Sequence, residues 1–127
     1  MRVKSFDTYS KPYELLPCGS GTSYVPGQGV YISSGVATLA TGTTKPTHII
    51  EEKKTGVTGE FVQAVRITED MTLEAPLSAS GTSLGVGSAV TIHTDGSSLT
   101  ATTTSGIAKI IDFPEGKASG AKVLFKF

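Results

Sequence analysis

Ser20-Gly21-Thr22-Ser23 returns 60 residues later as Ser80-Gly81-Thr82-Ser83, and the surroundings of the two copies agree as well. Laid over each other without a gap, residues 11–67 fall on residues 71–127. Glu14 meets Glu74, Gly27 meets Gly87, Val30 and Ile32 meet Val90 and Ile92, and Leu39 meets Leu99. Thr43 and Thr44 meet Thr103 and Thr104, Ile50 meets Ile110, and Gly56 meets Gly116. That makes 13 identities in 57 pairs, where composition alone gives roughly four or five. Val65 and Ile67 align with Phe125 and Phe127, so the apolar alternation at the end of each half is kept. The chain reads as one unit written twice.

Each copy predicts the same series of strands. Around residues 29–33 and 89–93, Val-x-Ile alternates with the period of two that a half-buried strand requires. A tight turn follows each, at Ser34-Gly35 and at Asp95-Gly96. Asp-Gly is a strong hairpin signal, because both central residues of a type I′ turn need positive φ. Return strands are predicted over 36–41 and 97–102, then strands at 48–50 and 107–111, a Gly-bearing turn, and closing strands over 61–67 and 121–127. Nothing carries a sustained helical period; at most a short helical turn is expected near residues 12–16. The expectation is all-β: residues 11–127 as one domain, a small closed β-barrel or β-tulip built from two pseudo-repeated halves. Closure would remove exposed sheet edges, and a two-layer sandwich is the competing architecture. Residues 1–10 precede the repeat and mix Arg2 and Lys4 with Val3, Phe6 and Tyr9. They are either an extra edge strand or an arm that reaches a neighbouring molecule.

Composition narrows the classes of function. A chain of 127 residues can bury a core without disulfides. Lysine and arginine number 11, aspartate and glutamate 11, and no stretch is strongly basic. A nucleic-acid binder would show a positive stripe, so no nucleic-acid partner is expected. Cys18 is the one cysteine, which rules out an intrachain disulfide. Residues 1–5 lack the apolar run of a signal peptide and no segment has the length of a membrane span, so synthesis in a cytosol and no membrane partner are expected.

No constellation of catalytic residues stands out. His48 heads an apolar strand and His93 lies beside a turn, at places that the repeat does not relate; a zinc site would want three or four ligands at recognisable spacing. Glu14 and Glu74 are related by the repeat, but each reads as a turn-stabilising or solvated carboxylate rather than half of a glycosidase pair. Glu51-Glu52-Lys53-Lys54 reads as a solvated hairpin end. Gly27-Gln28-Gly29 and Gly85-Val86-Gly87 neither open a helix nor carry the lysine of a phosphate loop. The expectation is a non-enzymatic protein with no cofactor and no metal.

Three stretches resemble the small decoration, or cement, proteins on the outer capsid of tailed bacteriophages. They are Pro26-Gly27-Gln28-Gly29-Val30-Tyr31-Ile32 before a Gly turn, Pro46-Thr47-His48-Ile49-Ile50 entering a strand, and residues 62–67 followed by Glu69-Asp70-Met71-Thr72-Leu73-Glu74. The second half repeats the pattern from Val86-Gly87 through Ile92 and closes on residues 123–127. The resemblance implies a β-barrel or β-tulip body that sits in the virion where major capsid protein subunits meet and reinforces the shell. It further implies a homo-oligomer, commonly a trimer, although some members of the family act as monomers, and an N-terminal arm at residues 1–10 with Arg2, Lys4, Phe6 and Tyr9 as capsid or subunit contacts. The alternative is a β-sandwich binding module of a phage fibre or adhesin that recognises a glycan or cell-surface ligand, which exposed aromatics on one face would favour.

Overall fold

The computed structural model describes residues 1–5 and 12–127. Among them there is no helix, and twelve strands follow in order: β1 (Arg2–Ser5), β2 (Tyr13–Pro17), β3 (Ser23–Tyr24), β4 (Gly29–Ser33), β5 (Val36–Leu39), β6 (His48–Ile50), β7 (Lys54–Thr55), β8 (Phe61–Arg66), β9 (Thr72–Pro76), β10 (Ala89–Val90), β11 (Ala108–Asp112) and β12 (Lys122–Lys126). They form two five-stranded antiparallel sheets, β1-β9-β12-β11-β10 and β2-β8-β6-β4-β5, and a small pair, β3-β7. The short helical turn expected near residues 12–16 is replaced by β2, whose backbone is taken up by β8 from Tyr13↔Val65 to Pro17↔Phe61.

The repeat in the sequence is a repeat in the topology. Subtracting 60 turns β9-β12-β11-β10 into β2-β8-β6-β4, the order in the other sheet. Register follows: Leu16↔Val62 corresponds to Pro76↔Lys122, and Gly29↔Ile49 to Ala89↔Lys109. So do the turns before β4 and β10. Gly27 N–H donates to Ile50 O at 2.9 Å and Gly87 N–H to Ile110 O at 2.8 Å, with φ at 95° and 94°. Val25 N–H donates to the Gln28 side chain, and Gly85 N–H to Ser88 Oγ, both at 3.0 Å.

The copies part company at one place. In the sheet of the first half Ile50 pairs with Ala64, whereas in that of the second Ile110 pairs with Phe125, one residue out of step, beside a bulge between Ile110 and Asp112. A one-residue slip sends a side chain to the opposite face. Ile110 accordingly joins the larger core, with Leu73, Ala75, Val90, Val123 and Phe125, to which Ile49 and Val65 of the other sheet also belong. Ile50 faces a smaller core of Leu16, Tyr24, Val30, Ala37, Val62 and Ala64.

A closed barrel, as the sequence led us to expect, is not formed. In one sheet the segments at the outer strands β2 and β5 touch at a single parallel bridge, Cys18↔Ala37; in the other, whose outer strands are β1 and β10, the equivalent bridge, Leu77↔Leu99, joins segments that follow β9 and β10. Strands of two to six residues are too short to carry a continuous ladder round a barrel. The repeat unit already satisfies its own strands, so the halves meet through the shared core, the bridge Gly42↔Ile92 and the bond from Gly29 N–H to Gly96 O at 2.8 Å.

Of the two predicted turns, Ser34-Gly35 is the tight one, with φ at 51° and 78°. Asp95-Gly96 instead sits in a wider loop between Ile92 and Leu99. The Asp95 carboxylate accepts from the Ser97 and Ser98 amides at 2.8 and 3.0 Å and from the Ser98 hydroxyl, which organises the loop from a side chain.

Candidate functional site

β1 comes from the head of the chain yet pairs with β9, the outer strand of the second half's sheet, through Arg2↔Glu74 and Val3↔Leu73. Of the two readings of residues 1–10, an edge strand describes residues 2–5. Alternation decides which side chains are held: Val3 packs on the larger core, with buried Met1 beside it, while Arg2 and Lys4 face outward. The Met1 amino group donates to Gly27 O at 2.7 Å and to Ser97 O at 3.0 Å, which ties the strand to both halves.

Glu74 is the centre of this rim. It is only 6% exposed, and an unpaired carboxylate there would be costly. Arg2 Nε donates to Oε1 at 2.7 Å, with Lys4 Nζ at 3.5 Å and Lys122 Nζ at 3.9 Å. The Arg2 hydrogen bond, aided by the charges of Arg2, Lys4 and Lys122, outweighs burial and holds the Glu74 carboxyl below its ordinary value. A cavity of about 330 Å³ opens alongside, lined by Arg2, Glu74, Pro76 and Lys122 on one side and Pro26 and Glu51 on the other. Of the four contact residues predicted from sequence, Arg2 and Lys4 thus share one carboxylate. Phe6 and Tyr9 lie outside the described residues.

Glu14, the repeat partner of Glu74, heads a second cluster. His48 Nε2 lies 2.6 Å from Glu14 Oε2, the Arg66 guanidinium pairs with the other oxygen, and Thr47 Oγ1 is 2.8 Å from His48 Nδ1. Both ring nitrogens of His48 are thus engaged, Nδ1 by the Thr47 hydroxyl and Nε2 by the Glu14 carboxylate. The hydrogen bond from His48, with the charges of His48 and Arg66, lowers the Glu14 carboxyl. The group stands beside a cavity of about 660 Å³ whose wall includes Tyr31, Ile32, Pro46, Ile67 and Phe127. Sequence reading missed this network because Glu14, His48 and Arg66 meet only through the order β2-β8-β6. The signal that could have found it is the register, since His48↔Arg66 is a cross-strand pair.

The remaining candidates have local roles. His93 Nδ1 lies 3.6 Å from Asp95 at the loop. Cys18 is buried beside the bridge to Ala37. Among the described residues no group of three or more His, Cys, Asp or Glu side chains could hold a metal ion. Tyr13, Leu15 and Phe61 are exposed and share one face of β2–β8. No family model matches the chain, and no curated protein matches it at a significant level.

Proposed function

We propose that this protein is a non-enzymatic decoration protein of a phage capsid, built from two copies of one β unit. It binds the outer surface of the shell between major capsid protein subunits and stabilises it, as a trimer or a monomer. The observation that carries the reading is the placement of β1: an N-terminal strand laid along the rim of a sheet, with Arg2 and Lys4 facing outward. The resemblance noted in the sequence supplies the partner, and Arg2 and Lys4, with Phe6 and Tyr9 close by in the chain, are the proposed contacts. A capsid offers many identical sites, so a modest interface that bridges two subunits at each site resists their separation. Mixing the purified protein with mature capsids and sedimenting them tests the reading. Saturable co-sedimentation is expected, and its absence would rule the function out. One feature favours the glycan-binding alternative, the exposed pair Tyr13 and Phe61 on one face of β2–β8. Specific retention on a glycan array, lost in Phe61→Ala, would support it.

A further inference from the structure

The outer face of the sheet β1-β9-β12-β11-β10 is far more basic than a net-neutral chain leads one to expect. Core-facing residues there are Leu73, Ala75, Val123, Phe125 and Ile110, so their neighbours point away from the core. The row Arg2–Glu74–Leu124–Asp112 and the row Lys126–Lys109 are set by strand pairing, Lys122 lies opposite Pro76, and Lys4 reaches Glu74. Arg2, Lys4, Lys109, Lys122 and Lys126 are thus five of the chain's 11 basic residues on one face. Against them stand Glu74, buried and already paired, and Asp112.

Lys109 and Lys126 are directly opposite each other. Like charges so placed destabilise a sheet, and neither side chain makes a hydrogen bond or an ion pair among the described residues. The first half, at the same positions less 60, has Ile49, Val62 and Arg66 where this half has Lys109, Lys122 and Lys126. The unit therefore folds without lysine at these positions, and in the second half Lys109 and Lys126 add repulsion with no internal partner among the described residues, while Lys122 has only the distant Glu74 carboxylate.

We propose that this face docks an acidic, extended segment of a partner protein. Along β12, Lys122, Leu124 and Lys126 point the same way at intervals of about 7 Å, with Leu124 half-buried between two cations. An extended peptide of the pattern acidic–x–apolar–x–acidic has the same spacing. Exposed Ile111 widens the apolar strip. The two carboxylates and this strip suit a protein segment better than a phosphate backbone, which gains from uniform positive charge. The inference rests on the decoration reading only for the identity of the partner, which would then be the major capsid protein.

The test uses the whole protein and a fluorescent peptide of repeated Glu-Thr-Leu-Thr-Glu units, followed by anisotropy. Binding should weaken with added salt and fall roughly tenfold in Lys122→Gln/Lys126→Gln. Lys109→Glu should also lose binding while its melting temperature holds or rises, because the lysine pair is relieved; a purely structural lysine would not behave so. The inference is overturned if the variants bind like the parent, if a peptide with Gln for Glu binds equally, or if oligothymidylate of equal charge binds more tightly. Capsids separate the two ideas. If the peptide discriminates but no form of the protein co-sediments with capsids, the basic face stands and the decoration reading falls. If parent and Lys122→Gln/Lys126→Gln co-sediment equally, the decoration reading stands and this face is not its interface.

Discussion

Gly106 shows how narrow the tolerance is at single residues. A methyl group there would lie 2.0 Å from Ala89 O, so the strand entry at β10 has to move. Gly106→Ala is expected to cost about 2 to 3 kcal/mol, read as a lowered midpoint in urea, while Gly85→Ala, with open space around it, should leave the midpoint nearly in place. His48→Ala removes a buried side chain and leaves Glu14 with Arg66 alone. A loss of about 1 to 2 kcal/mol is expected, with capsid co-sedimentation retained by the folded variant; a selective loss of binding would give the Glu14–His48 cluster a functional role. At this scale the sequence was only partly readable. The positive φ of Gly35 follows from its place in a turn signal, but the close approach at Gly106 depends on β10, which no local pattern discloses.

Among the elements, β1 is where expectation and structure differ most in consequence. An arm outside a self-sufficient barrel could be removed without harm, yet Met1 is buried and Val3 packs on the larger core. Deleting residues 1–5 should therefore lower the melting temperature markedly, by several degrees for each 1 kcal/mol lost. Arg2→Ala/Lys4→Ala keeps both apolar contacts and should reduce capsid binding with a smaller loss of stability. Equal binding by a well-folded double variant would remove Arg2 and Lys4 from the interface. The strand series was legible because Val-x-Ile and the repeat fix both period and spacing. What the repeat could not tell is how two copies combine. Closure into one barrel and two separate sheets use the same alternation, and the slip at Ile110 that turns it into the larger, shared core lies beside a bulge.

The whole molecule should respond to acid through three carboxylates. Hydrogen bonds and neighbouring cations lower Glu14 and Glu74 from 4.5, and at Asp95 burial is outweighed by bonds from Ser97 and Ser98, which lower it from 3.8. A carboxyl with a depressed folded pKa contributes stability above its unfolded value and loses it as pH falls through the folded one. Urea midpoints should thus decline first between about 8 and 6, where the Met1 amino group, lowered to about 6 by burial, takes up its proton, and again below about 4, with a shallower second drop in Arg2→Ala. A midpoint unchanged to strong acid would mean that these pairs add nothing to folding. Time is the other dimension in which β1 matters. Its partner Glu74 lies 72 residues after Arg2, so during synthesis the strands from β2 to β8 can assemble while β1 still has no edge to join. β1 is made well before β9 yet can dock only once β9 is in place, and pulse-labelled exchange during refolding should find its amides protected only after those of β8.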